Sequence, residues 1–168
     1  LCADNDASTV AHAMAQGALM GARGNSGVIL SQILRGFAKG LEGQKHFSGP
    51  DLSKSLCLAS QLAYESVSQP MEGTILTVMR ESADAAKSAS SRADCNLESI
   101  LEATVNEASE SVTRTPNLLA VLQDAGVVDA GGQGLYLILK GLLLQLKGQE
   151  LPEEELPTMA PFSPRKSS

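Results

Sequence analysis

The chain has 168 residues, a mass of 17.5 kDa and a formal net charge of −6 at pH 7. This length suffices for one domain with a sizeable core, and because only 3% of the residues are aromatic, that core must be mainly aliphatic, which suits packed helices. The acidic balance argues against a general nucleic-acid surface. No apolar run reaches the roughly 18 residues of a membrane span, and three isolated cysteines without metal-ligand spacing indicate a reduced, cytoplasmic protein.

The first predicted helix is capped by Asp6 or Ser8 and runs to about Met20. Asp4-Asn5-Asp6, just before it, is interpreted as a solvated turn rather than a metal site. His12 has no acidic partner at helical spacing and is expected at the surface. Three residues at four-residue spacing are expected to form the apolar face of this helix, namely Val10, Met14 and Ala18.

The glycine-rich stretch Gly21–Gly27 runs straight into the next predicted helix, Ser26–Leu41. Glycines allow the backbone to approach a ligand closely, and Ser26 or Asn25 is a good N-cap. A helix start offers unpaired N–H groups and about half a positive charge, which attract phosphate. Two interpretations stay open: an anion cradle with Arg23 as an extra cation at its lip, or an ordinary capped turn.

The next two elements are also helical. Residues 51–67 are predicted to form a third helix, and the turn of residues 69–74 is predicted to open a fourth that runs through Ser88. Thr74 either caps this fourth helix or offers its hydroxyl to a ligand. The apolar stripes of the second and third helices consist of Ile29, Ile33, Phe37 and Leu41 in the one and of Leu52, Leu56, Ala59 and Ala63 in the other.

A fifth helix is predicted over Leu97–Val112. Thr115-Pro116 follows it and is interpreted as an N-cap with proline at the first helical position. We therefore expect a short separate helix over residues 117–124. The apolar face of the fifth helix is expected to consist of Leu97, Leu101, Val105 and Ala108.

The last predicted helix, Gln133–Leu146, follows Asp129 and a group of glycines at positions 131, 132 and 134. Asp129 can simply be an N-cap, but three glycines weaken a helix start unless a close approach is needed. The helix is apolar nearly all round, which predicts a central place in the fold. Residues 1–148 are thus expected to form one domain, and residues 149–168, acidic and rich in proline, a linker or tail.

Three stretches carry a resemblance to a known family: Gly21–Phe37, Glu72–Leu76 and Val127–Gly134. In this order they resemble the nucleotide-binding domain of the dihydroxyacetone kinase family, over about residues 6–148. Within that family, Gly21–Phe37 is most similar to the N-terminal domain of the bacterial fatty acid kinase subunit. The resemblance implies an all-α fold, an antiparallel helical bundle or barrel. The family's barrel has eight helices, whereas about seven are expected here.

The resemblance also implies a site that binds ATP and Mg²⁺. By the family pattern, Gly24, Asn25, Ser26 and Gly27 would contact the phosphates. The nucleotide pocket would also be lined by Gly73, Thr74, Ile75, Asp129, Ala130 and Gly131.

The magnesium-binding motif of the family, Asp-Gly-Asp-Thr-Gly-Thr-Asn, does not occur in the sequence. We expect its aspartates upstream of Leu1, together with the missing first helices of the domain. The sequence itself identifies neither a metal ligand nor a catalytic residue, since there is no Ser–His–Asp or Cys–His arrangement. A helix start supplies only about half a charge against the several negative charges of ATP, so the chain alone should bind nucleotide weakly and transfer nothing measurable.

Three hypotheses on function follow. The first is the ATP-binding domain of a fatty acid kinase, with the acyl carboxylate presented by a separate lipid-binding protein. The second is the nucleotide-binding subunit of a dihydroxyacetone kinase, and the third is a catalytically inactive helical interaction module. A missing helix would also expose an apolar groove, which predicts aggregation or a homodimer.

Overall fold

The computed structural model describes residues 6–93 and 95–149 and contains seven α-helices and no strand in these ranges. This confirms the all-α prediction. Consecutive helices from α1 to α5 pack against each other, and α7 packs against α4 and α5. The predicted tail of residues 149–168 lies outside the described residues except for Gln149, as do Asp4 and Asn5. The helices are α1 (Ala7–Gly21), α2 (Gly24–Gly40), α3 (Gly49–Glu65), α4 (Ile75–Ser90), α5 (Leu97–Leu118), α6 (Ala120–Ala125) and α7 (Ala130–Leu146).

The predicted core faces of α2, α3 and α5 are confirmed. Ile33 and Leu41 of α2 are buried, with Ile29 and Phe37 packed against the core from half-buried positions. All four predicted residues of α3 are buried, as are three of the four in α5, because each helix covers its neighbours with a stripe at 3.6-residue periodicity. No helix in the described ranges is both long and apolar enough to cross a membrane.

The predicted apolar face of α1 is wrong by one residue. Ala11 and Ala15 are the buried residues, whereas Val10 and Met14 are exposed. In the described structure α1 packs on α2, and the two alanines let their backbones approach closely. Hydrophobicity alone favoured the larger side chains, but Met14 lies at the mouth of an apolar cavity beside Leu34 and Phe37 of α2 and remains exposed.

The prediction that α7 is central is also wrong. Nine residues of α4 are buried, against three of α7, and α4 packs on α2, α3, α5 and α7. Ile138, Leu142 and Leu146 of α7 remain 40–45% exposed. An all-round apolar helix can be buried on any side, so its composition does not say how many neighbours cover it. The homodimer expected from a groove left by a missing helix stays a prediction.

The short helix predicted to begin at Thr115-Pro116 begins later. Residue Pro116 lies inside the last turn of α5, which continues to Leu118, and α6 starts at Ala120. Proline is tolerated there because the hydroxyl of Thr115 donates to the carbonyl of Val112, the group that an N–H at position 116 would normally serve.

Helices α2 and α3 approach so closely that only glycine fits at two positions of α2. A Cβ atom at Gly36 would lie 2.5 Å from the Cα atom of Ala59 and from the carbonyl oxygen of Leu58. One at Gly40 would lie 2.5 Å from the Cα atom of Ser55. Both distances are to backbone atoms, so a rotamer change cannot relieve the clash.

We expect Gly36→Ala to lower the free energy of unfolding by about 1–3 kcal/mol, because the two helices must separate. The loss should appear although alanine has the better helix propensity by about 1 kcal/mol. Urea denaturation followed by circular dichroism measures it.

The matched control is Gly17→Ala in α1, where an added Cβ would meet nothing within 4 Å. It should leave the free energy of unfolding unchanged or raise it by up to about 1 kcal/mol. Equal effects of the two substitutions would contradict the close-contact interpretation.

Candidate functional site

The starts of three helices meet around one cavity of about 450 Å³. Asn25 and Ser26 of α2, Thr74 and Ile75 at the start of α4, and Asp129 before α7 all line it. Residues between α3 and α4, from Ser66 to Met71, complete its wall. The volume lies in the range typical of small-molecule sites. The other predicted site residues, Gly24, Gly27, Gly73, Ala130 and Gly131, are chain neighbours of these and do not line the cavity themselves.

The start of α2 differs from the prediction that Ser26 or Asn25 caps it. The helix already begins at Gly24, whose φ of 63° favours glycine, so Asn25 and Ser26 lie in the first turn. The N-cap is Arg23, which makes no side-chain cap hydrogen bond. Its guanidinium donates to the Ala22 carbonyl at 2.7 Å and does not line the cavity, contrary to the predicted cation at the lip. First-turn N–H groups of α2 therefore have no capping side chain to satisfy them.

Thr74 caps the start of α4, which confirms the first of the two alternatives for this residue. Its hydroxyl accepts from the N–H of Leu76 at 3.3 Å and donates to the carbonyl of Met71 at 2.8 Å. Just before it, Gly73 has a φ of 80°, and a Cβ there would lie 2.8 Å from the Cβ of Leu119. Conformation and space thus both require glycine at this position.

Glu72, for which the sequence predicts no role of its own, holds this turn. Its carboxylate accepts hydrogen bonds from Tyr64 Oη at 2.9 Å, Thr77 Oγ1 at 2.8 Å and Arg80 at 2.8 Å. The same Thr77 hydroxyl accepts from the N–H of Gly73 at 2.8 Å. The sequence does contain a feature that could have predicted this cluster: Thr77 and Arg80 share a face of α4 at i, i+3 spacing, and the acidic Glu72 precedes that helix.

The protonation of Glu72 reflects this cluster. Burial raises the pKa of the Glu72 carboxyl, but the hydrogen bonds from Thr77, Arg80 and Tyr64 outweigh burial and hold the pKa below its ordinary value. Arg80 donates hydrogen bonds to Tyr64 Oη at 3.1 Å and to the Glu72 carboxylate, and these bonds, the one to Tyr64 most strongly, raise the pKa of Arg80. The turn before α4 therefore rests on an ionised carboxylate.

The start of α7 confirms that Asp129 is an N-cap. Its Oδ2 accepts from the N–H of Gly132 at 2.7 Å, so the helix begins at Ala130 rather than at Gln133. Its own N–H donates to Thr115 Oγ1 at 3.0 Å. A Cβ at Gly132 would lie 2.7 Å from Cγ2 of Val78, which gives that glycine the close approach expected of it.

The residues around the cavity do not fit a magnesium site by themselves. Among those that line it, Asp129 is the one carboxylate, and its Oδ2 already accepts from a backbone N–H. Within residues 6–93 and 95–149, no group of three or more histidine, cysteine, aspartate or glutamate side chains could hold a metal ion. The predicted magnesium ligands upstream of the chain remain a prediction.

Comparison with known proteins gives a family match and several relatives. The DAK2 domain family model matches residues 2–144. Protein YloV of Bacillus subtilis is 44% identical over 152 residues, which are 89% of this chain and 27% of that protein. An uncharacterised protein of Staphylococcus haemolyticus is 47% identical over 145 residues, 85% of this chain and 26% of its own length. The chain spans about a quarter of the length of these relatives.

We expect Glu72→Gln to change how stability depends on pH. Because the pKa of Glu72 is lowered on folding, its contribution is present above the unfolded pKa of about 4.3 and is lost as pH falls through the folded pKa. The variant cannot lose it, so its stability should fall less steeply on the acid side. At pH 7 it should be less stable by about 0.5–1 kcal/mol, a modest figure because the side chain is half exposed.

Urea denaturation from pH 7 down to pH 3 measures this difference. Glu42→Gln, which removes the same charge at an exposed glutamate outside the cluster, is the control. If the free energy of unfolding depends on pH in the same way for Glu72→Gln and for the control, the Glu72 carboxylate does not stabilise the turn before α4.

Proposed function

The chain belongs to the DAK2 domain family, which is associated with nucleotide-binding kinase subunits, and on that premise we propose that it is the ATP-binding part of a cytoplasmic phosphotransferase. The cofactors of the proposed reaction are ATP and Mg²⁺. The observation that carries the proposal is the convergence of three helix starts on one cavity, which five of the predicted site residues line.

The phosphates are assigned to the start of α2. The N-terminal ends of α4 and α7 are capped by their own residues, Thr74 and Asp129, whereas Arg23 makes no such bond to α2. An anion near Asn25 and Ser26 would receive first-turn N–H donors and the positive end of the helix dipole. Thr74, Ile75 and Asp129 would then line the rest of the nucleotide pocket.

Charge limits what this arrangement does alone. Each helix start offers about half a positive charge, while ATP carries several negative ones. Mg²⁺ would bridge and neutralise the phosphates when bound, but the described residues supply no ligand set for it. The chain alone is therefore proposed to bind nucleotide with a dissociation constant of about 1 mM, about 4 kcal/mol of binding free energy.

The proposed acceptor is a fatty acid carboxylate presented by a separate lipid-binding protein. The support is the similarity of Gly21–Phe37 to the fatty acid kinase subunit. The YloV relative and the Staphylococcus haemolyticus relative are about four times as long as the matched region, which leaves room in them for parts that handle an acceptor. The product would be an acyl phosphate.

Asn25→Asp should change folding stability and nucleotide affinity in opposite directions. A carboxylate in the first turn of α2 interacts favourably with the helix dipole and should raise the free energy of unfolding by about 0.3–1 kcal/mol. The same charge repels phosphate, so the dissociation constant for ATP should rise about tenfold. Urea denaturation measures the first effect and an NMR titration of backbone amides the second.

The matched control is Asn106→Asp, the same change at an exposed position in the middle of α5. It should leave ATP affinity unaltered. In the unmodified chain, ATP should shift the amide signals of residues 25–27, 74–75 and 129–131. No shifts, or shifts confined to other regions, would favour the inactive interaction module instead.

The acceptor is tested on the longer Bacillus subtilis relative, incubated with ATP, Mg²⁺ and either a lipid-binding protein loaded with fatty acid or dihydroxyacetone. Hydroxylamine converts an acyl phosphate to a hydroxamate and leaves a phosphate ester untouched. We expect hydroxamate to form only with the fatty acid. An ester product from dihydroxyacetone without hydroxamate would establish the alternative kinase.

A further inference from the structure

The last turn of α5 contains a carbonyl group that the helix cannot satisfy in the usual way. An N–H at position 116 would bond to the carbonyl of Val112, but Pro116 has none. The Thr115 hydroxyl donates to that carbonyl at 2.7 Å instead. Thr115 is fully buried, so this hydroxyl is fixed inside the protein rather than shared with water.

The same hydroxyl holds the residue before α7. A threonine hydroxyl has one proton to donate and two lone pairs that accept. Since the proton of Thr115 goes to Val112, a lone pair is left for the N–H of Asp129, which lies 3.0 Å away. The Thr115 hydroxyl of α5 thus links the Val112 carbonyl to the N–H of a residue 14 positions after Thr115 in the chain.

The backbone of Thr115 also contacts the turn that precedes Thr74, a residue on another side of the cavity. A Cβ at Gly73 would lie 3.0 Å from the carbonyl oxygen of Thr115. The turn that leads to Thr74 therefore packs directly on the same residue that holds Asp129. One turn of α5 fixes the approach to α4 and to α7 together.

From this geometry we infer that Thr115 is a positioning residue for the helix-start cavity, acting through the backbone of Asp129. The inference rests on the proposed function for its nucleotide readout. Because Pro116 has no N–H for the Val112 carbonyl, the Thr115 hydroxyl is the group that serves this carbonyl. Neither residue lines the cavity itself.

The test compares T115V, T115S and T104V. Thr104 is the matched control because it is equally buried and its hydroxyl donates to the carbonyl of Ile100 within α5, about three helical turns before Thr115. Hydrogen exchange of the Asp129 amide and the ATP dissociation constant are measured for each. T115V should speed exchange at Asp129 and weaken ATP binding, each about tenfold, whereas T104V and T115S should resemble the unmodified chain in both.

The double variant P116A/T115V separates the two roles of the hydroxyl. An N–H restored at position 116 can serve the Val112 carbonyl, so the double variant should be more stable than T115V. It still lacks an acceptor for the Asp129 N–H, so exchange there and ATP binding should stay impaired. Recovery of both in the double variant would overturn the inference.

The outcomes distinguish this inference from the proposed function. Exchange at Asp129 no faster in T115V than in T104V overturns the positioning role, and so does faster exchange with unchanged ATP affinity. If the unmodified chain binds no ATP, the proposed function fails. The role of Thr115 in holding Asp129 is then decided by the exchange data of the four variants alone.

Discussion

The close approach of helices through small residues is the constraint on which this structure depends. Gly36 and Gly40 of α2 meet the backbone of α3, and Gly132 of α7 meets Val78 of α4. The chain has few aromatic side chains, so few large groups separate its helices. Dispersion contacts between closely spaced backbones then take the place of contacts between large side chains. Close packing has a consequence at the helix ends. The starts of α2, α4 and α7 come to lie around one cavity small enough for a single ligand.

The three helix starts are not equivalent in their hydrogen bonds. Thr74 and Asp129 satisfy N–H groups of α4 and α7, so those ends have less to offer a ligand. Arg23 leaves α2 without a side-chain cap, and Gly24 places Asn25 and Ser26 in its first turn. A capped end stabilises the fold, whereas an uncapped end keeps donors for an external anion. The distribution of caps therefore sets the start of α2 apart from the starts of α4 and α7.

Periodicity in the sequence was enough to predict most helices and the buried faces of α2, α3 and α5. It failed for α1 and α7, because the side of a helix that is covered depends on its neighbours and not only on its own pattern. The pair Thr115-Pro116 predicts a helix start, because threonine is a good N-cap and proline is favoured in the first turn. The same pair also fits the last turn of a helix when a hydroxyl replaces the missing N–H, as it does here. The resemblance to a known family named five residues that line the cavity, Asn25, Ser26, Thr74, Ile75 and Asp129, and their contact with a nucleotide stays a prediction. The roles of Glu72 and Thr115 were not predicted, since both depend on contacts between segments that the sequence does not bring together.

The described residues that line the cavity include no lysine, arginine or histidine, and one carboxylate. An attraction for phosphate must then come from backbone N–H groups and helix dipoles, whose strength falls off within a single turn. The strength of such a field at a ligand depends on where the backbone of the helix start lies. Glu72 holds the backbone of Gly73 through Thr77, and Thr115 holds that of Asp129. Such residues should therefore influence the proposed binding as much as those proposed to contact the nucleotide.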